Sequence, residues 1–82
     1  NPSTLVKYQL PKASYLSIRL YDQLGREVSS LYEGDKQAGY YQVTVDGTNL
    51  ASGLYFCRIT SSDASTGSGV GFTKVIKMSL IK

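Results

Sequence analysis

Apolar and polar side chains alternate through most of the runs that lie between turn residues, and a period of two is the signature of strands. The clearest case is YLSIRLY, which sets Leu16, Ile18 and Leu20 on one side and Tyr15, Ser17, Arg19 and Tyr21 on the other. TLVKYQL, residues 4–10, opposes Val6, Tyr8 and Leu10 to Leu5, Lys7 and Gln9. Pro11, which has no amide to donate to a ladder, ends that run. YYQVTV puts Tyr41, Val43 and Val45 together. LYFCRIT puts Tyr55, Cys57 and Ile59 on one face and Leu54, Phe56 and Arg58 on the other, apolar enough on both sides for a central strand. The closing FTKVIKMSLIK points Ile76, Met78 and Leu80 inward and Val75, Lys77, Ser79 and Ile81 outward, with lysines that protect an edge strand from unwanted pairing.

The segments between these runs read as turns. In YDQLGREV, Asp22 can accept from downstream amides and Gly25 can take a positive φ, so a strand ends there and a third begins near Arg26. Val28 and Leu31 break strict alternation, which predicts either a bulge or a strand that stops near Ser29 and Ser30. EGDKQAG reads as a polar loop closed by Gly39, Asp46-Gly47 as a turn, and TNLASG, ending at Gly53, as an irregular corner. SSDASTGSGVG, residues 61–71, reads as a mobile hairpin loop. No run repeats apolar residues at helical spacing behind a capping residue. The spacing predicts an all-β fold, an immunoglobulin-like two-sheet antiparallel β-sandwich of about seven strands. Residues 1–3 are the expected end of a linker and residues 4–82 a single domain, since 82 residues enclose one core and little else.

Composition narrows the chemistry. Cys57 is the only cysteine, so no disulfide forms within the chain and packing alone must hold the domain. There is no histidine, which removes the commonest general base and transition-metal ligand. Cys57, on an inward parity, reads as a small core hydrophobe rather than a nucleophile. Asp46 and Asn49 fall far short of a calcium ligand set, and Asp22 and Glu27 flank a surface hairpin without a cleft. GSGVG at 67–71 lacks the following helix that a phosphate loop requires. No catalysis, cofactor or metal is expected. The net charge of +3 arises in residues 53–82, where Arg58, Lys74, Lys77 and Lys82 face Asp63 alone. That density is too low for a nucleic-acid interface, and no apolar stretch is long enough to insert directly into a membrane. Tyr15, Tyr21, Tyr32 and Tyr40 leave open an aromatic platform for sugars, against the commoner role of cross-strand packing.

Several blocks, taken in order, carry a resemblance: the NPST lead-in, Tyr-x-Leu-Pro at Tyr8–Pro11, LYDQLGREV at 20–28, AGYYQVTVDG at 38–47, LASGLYFCRI at 50–59 and the terminal KMSLIK. Together they resemble the carboxy-terminal sorting domains, type A, of bacterial type IX secretion substrates. The shared motif residues are Asp22, Gly25, Gly39, Asp46, Gly47, Gly53 and Tyr55. The resemblance implies a label at the end of a larger secreted protein. A type IX translocon would recognise it and carry the upstream cargo domain through the periplasm and across the outer membrane. A surface sortase would then commonly remove the domain and attach the cargo to the cell surface. A related immunoglobulin-like domain of flagellar hook-capping proteins shares some of these features and is structural. The chain's ending directly after KMSLIK favours sorting; a carbohydrate-binding or scaffolding module is the alternative. On the last strand the residues expected to be read are Lys74, Val75, Lys77, Ser79, Ile81 and Lys82. Two departures from the family are the long 61–71 loop and Val45, where the family often has tryptophan, which leaves a smaller core.

Overall fold

The computed structural model describes residues 3–62 and 73–81. Six strands are present among them: β1 (Ser3–Leu10), β2 (Ser14–Asp22), β3 (Glu27–Lys36), β4 (Gly39–Asp46), β5 (Gly53–Ser62) and β6 (Thr73–Leu80). All pairing is antiparallel. β1 and β4 form a two-stranded ribbon, and β3-β2-β5-β6 form a four-stranded sheet with β3 and β6 at its edges. The two layers make the expected sandwich, with six strands in place of about seven. The strand-like runs of the sequence themselves number six, and the polar segment at 33–36 extends β3 instead of adding a strand.

The predicted inward sets meet in one core. Val6, Tyr8, Leu10 and Val45 come from the ribbon, and Leu16, Ile18, Leu20, Tyr55, Cys57 and Ile59 from the centre of the larger sheet. Tyr41, Val43, Ile76, Met78 and Leu80 pack around them, half-buried. Tyr8 stacks on Tyr41 across the ribbon at 5.7 Å between centroids. Burial there, and secondarily the neighbouring Tyr32 and Tyr41, pushes the Tyr8 phenol above its ordinary pKa. Lys36 closes the seam between β3 and β4, its Nζ lying 4.3 Å from the Tyr32 ring centroid and 4.6 Å from that of Tyr41.

β3 departs most from expectation. Its register against β2 slips between Ile18 and Arg19 and again between Leu20 and Tyr21, which leaves Leu31 and Val28 as the extra residues of two bulges. The bulge, not the early stop, explains the broken alternation. The strand then continues through Glu33–Lys36, which sequence polarity assigns to a loop. An edge strand tolerates polar side chains on its solvent face, and these are satisfied: Tyr15 Oη and Ser17 Oγ both donate to Glu33, at 2.7 and 3.0 Å. Gly34 is accommodated because the Tyr32 ring lies against it while Tyr32 Oη donates to the Asp35 carbonyl at 3.0 Å. Only Gln37 and Ala38 link β3 to β4.

Two further boundaries shift. β1 already includes Ser3, and β5 runs through Ser61 and Ser62, with Ser61 buried. The remainder of the predicted 61–71 loop, GSGVG included, lies outside the described residues. Asp46-Gly47 does turn the chain, but as a corner between sheets and not as a hairpin. Asp46 Oδ1 accepts from the Thr48 amide at 3.0 Å, and the Leu50 amide donates to the Gly47 carbonyl at 2.9 Å.

At this end of the sandwich a cavity of about 50 Å³ is bordered by Leu20, Val45, Leu50, Tyr55, Met78 and Leu80. It is the space that a larger side chain at position 45 would occupy. Val45→Ile adds one methylene there and is expected to stabilise the domain by about 0.5–1 kcal/mol, read as a higher midpoint in chemical denaturation at unchanged slope. A lower midpoint would mean that the added methylene overpacks the site.

Candidate recognition face

β6 alternates because Ile76, Met78 and Leu80 seek the core, and the register with β5 fixes what shares each face. Ile76 pairs with Cys57, Met78 with Tyr55 and Leu80 with Gly53, while Val75 pairs with Arg58, Lys77 with Phe56 and Ser79 with Leu54. Val75, Lys77 and Ser79 therefore stand on the outer face of the four-stranded sheet. Val75 is 55% exposed and Ile81, just past the strand, 76%. The structure does not group Lys74 with them: it pairs with Ile59, on the inward parity, and lines an open hollow beside Lys7, Tyr8 and Tyr41 of the ribbon. Lys82 lies outside the described residues.

The same outer face continues across β5 and β2. Arg19 is its hub, donating from Nη1 to Glu27 at 2.9 Å, from Nη2 to Glu33 at 3.0 Å and from Nε to Ser17 at 3.0 Å. The bond from Tyr15, then those from Ser17 and Arg19, hold the Glu33 carboxyl below its ordinary pKa. Arg58 stands directly opposite Arg19 on β5, exposed, with no hydrogen bond or ion pair among the described residues. Tyr21, Leu54 and Phe56, half-buried, complete the surface. The alternation of β6 by itself does not reach Tyr21, Phe56 and Arg58, which lie on β2 and β5. The signal that finds them is the two-sided apolar character of LYFCRIT combined with the β2–β5 register, which no single strand displays.

The motif residues build the turns that hold this sheet. The amides of Leu24 and Arg26 donate to Asp22 Oδ1 at 2.9 and 3.0 Å, and Arg26 Nε donates to Oδ2 at 2.9 Å. The Arg26 amide is the main reason that the Asp22 carboxyl lies below its ordinary pKa. Gly25 has φ of 85°, the left-handed conformation foreseen for it. Asp46 is likewise lowered, first by the Thr48 hydroxyl. Gly39 and Gly53 open β4 and β5. Tyr55 Oη donates to the Ala51 carbonyl at 2.6 Å and ties β5 to the corner that precedes it.

The acidic and thiol candidates are occupied by structure. Asp22 and Asp46 serve turns, Glu27 serves Arg19, and Cys57 is fully buried, with burial pushing its thiol pKa up. The four tyrosines foreseen as a sugar platform do not share a face. Tyr15 and Tyr21 lie on the outer sheet face, Tyr32 packs against the core, and Tyr40, 82% exposed, stands on the ribbon.

The fold is thus an all-β sandwich with, among the described residues, no unsatisfied buried side-chain polar atom, and with an exposed apolar–basic face along one edge. The chain belongs to the family of secretion system C-terminal sorting domains, whose pattern matches residues 1–76. It thus carries a type IX secretion sorting signal, which implies export toward the cell surface or beyond it. The matched stretch stops at Ile76, so Lys77, Ser79 and Ile81 lie past it. No curated protein and no solved structure matches the chain.

Proposed function

We propose that the domain is a non-catalytic label whose outward β6 face, Val75, Lys77, Ser79 and Ile81, is what the type IX translocon reads. The cargo is a domain upstream in the same polypeptide, taken across the outer membrane because this label is recognised. A surface sortase then removes the label and leaves the cargo attached to the cell surface. The observation that carries the reading is the family membership together with the exposure of Val75 and Ile81 beside Lys77 on an edge strand. Apolar side chains left outward next to a cation cost solubility and serve a partner better than they serve the fold.

Deleting the tail is a poor test, because Ile76, Met78 and Leu80 are packed, half-buried, against the core, and each gives a part of the about 1.5–3 kcal/mol that full burial of such a side chain contributes. Loss of the fold and loss of the address would look alike. The triple variant Val75→Ser, Lys77→Glu, Ile81→Ser changes only exposed positions and is expected to keep Tm within about 3 °C of the parent. Export of a reporter fused ahead of the domain is expected to fall by about an order of magnitude, a loss of about 1.4 kcal/mol in recognition. Normal export of the folded triple variant would remove the outward β6 face from the account of sorting.

A further inference from the structure

Arg58 is set apart from the other two arginines of the chain. Arg19 holds Glu27 and Glu33, Arg26 holds Asp22, and Lys36 sits over two tyrosine rings. Arg58 has no such partner among the described residues, and it stands directly across from Arg19, whose own charge Glu27 and Glu33 already balance. Beside it lies a hollow of about 320 Å³ bordered by Tyr21, Phe56, Arg58 and Val75, with the Asp22 turn at one end. Asp22 does not neutralise Arg58, because its oxygens are taken by Leu24 and Arg26. The hollow therefore joins a planar guanidinium without a partner among the described residues to two aromatic rings and an exposed valine, with Lys77 paired to Phe56 on the next strand. A guanidinium offers a carboxylate two parallel donors, which an ammonium does not.

We propose that this hollow seats an acidic peptide segment of the secretion receptor, with a carboxylate on Arg58 and a neighbouring apolar side chain between Tyr21, Phe56 and Val75. The inference rests on the reading of the β6 face as the recognised surface and extends that surface inward to β5 and β2. A second copy of this chain fits less well. The nearby outward acids of the same sheet, Glu27 and Glu33, are already held by Arg19, and Asp35 lies at the far end beside Tyr15. An anionic lipid surface also fits less well, because two cations give weak anchoring and the apolar groups here line a concavity instead of protruding. Addition of a partner strand to β6 is opposed by Lys74, whose inward parity makes that edge a poor template.

The test uses the whole chain in two arms. In the first, a reporter is fused ahead of it: Arg58→Lys is expected to export within about threefold of the parent and Arg58→Glu at least tenfold less, both at unchanged Tm. In the second, a synthetic decapeptide alternating glutamate with leucine and phenylalanine is titrated and followed by nuclear magnetic resonance. Shifts are expected at Tyr21, Phe56, Arg58 and Val75, and they should disappear with Arg58→Glu or when glutamine replaces glutamate in the peptide. The inference is overturned if Arg58→Glu exports normally or if the uncharged peptide shifts the same residues equally. It is also overturned if phosphatidylglycerol vesicles bind this face while the acidic peptide does not, or if sedimentation shows the face buried in a dimer. The two readings separate cleanly: impaired export by the β6 triple variant with normal export by Arg58→Glu leaves the β6 face in place and removes only the Arg58 site.

Discussion

Replacing Ile18 with alanine is expected to cost about 3 kcal/mol, and with it a fall in Tm of roughly 12–24 °C for a domain of this size. Ile18 is fully buried on the central strand β2, between Tyr32 of β3 and Ile59 of β5 in register, and it faces the β1–β4 ribbon. Removing three carbons there takes away transfer energy and leaves a void that the neighbours cannot close, since they are held on both sides by the ladder. Natural domains have about 5–15 kcal/mol in total, and one of 82 residues without a disulfide sits toward the lower part of that range. The substitution therefore removes a large share of what holds the sandwich together. Urea denaturation measures it directly, with Leu24→Ala as the comparison. Leu24 lies in the β2–β3 turn, is 74% exposed, and should change stability by less than about 0.5 kcal/mol. A similar small loss for Ile18→Ala would mean that the ribbon does not press on β2 as the structure shows.

That contrast follows a division already visible in the amino-acid pattern. β2 and β4 alternate because one side of each faces the core, β5 is apolar on both sides with its buried set on one parity, and such strands announce both their existence and their orientation. β3 is an edge strand with two bulges and a polar outer face, so its second half carries no alternation to read and resembles a loop. Its pairing is legible only in three dimensions, where Glu33 gathers Tyr15, Ser17 and Arg19. The same limit applies to the proposed recognition face. Val75, Lys77 and Ser79 are a period-two subset of one strand and can be counted off directly. Lys74 enters such a list through its charge and leaves it through its parity. Arg58 becomes a neighbour of Val75 and Arg19 only when the registers of β5 with β6 and of β2 with β5 are both known. Residues of one strand are legible from sequence; residues of one surface require the ladder.

Cys57 offers a probe of whether that surface is rigid, and its expected behaviour is a large kinetic effect. The thiol is fully buried, paired in register with Leu20 on one side and Ile76 on the other, and burial pushes its pKa above the ordinary thiol value. Because only the thiolate attacks, and because reagent must reach it, labelling in the native state requires the sheet to open. If opening is global, a stability near 5 kcal/mol leaves an open fraction of about 10⁻³ to 10⁻⁴, and labelling by a disulfide reagent should be slower than in denaturant by at least about a thousandfold. Its logarithm should then rise with urea at the slope of equilibrium unfolding. If β6, an edge strand, detaches alone, the slope will be shallow and the protection much smaller, because Ile76 leaves with it. The packing of Ile76, Met78 and Leu80 on the core favours the first outcome. A receptor would then meet a preformed face, with Val75 and Lys77 held in place by the same strand that shields Cys57, and would not need to order a loose tail on binding.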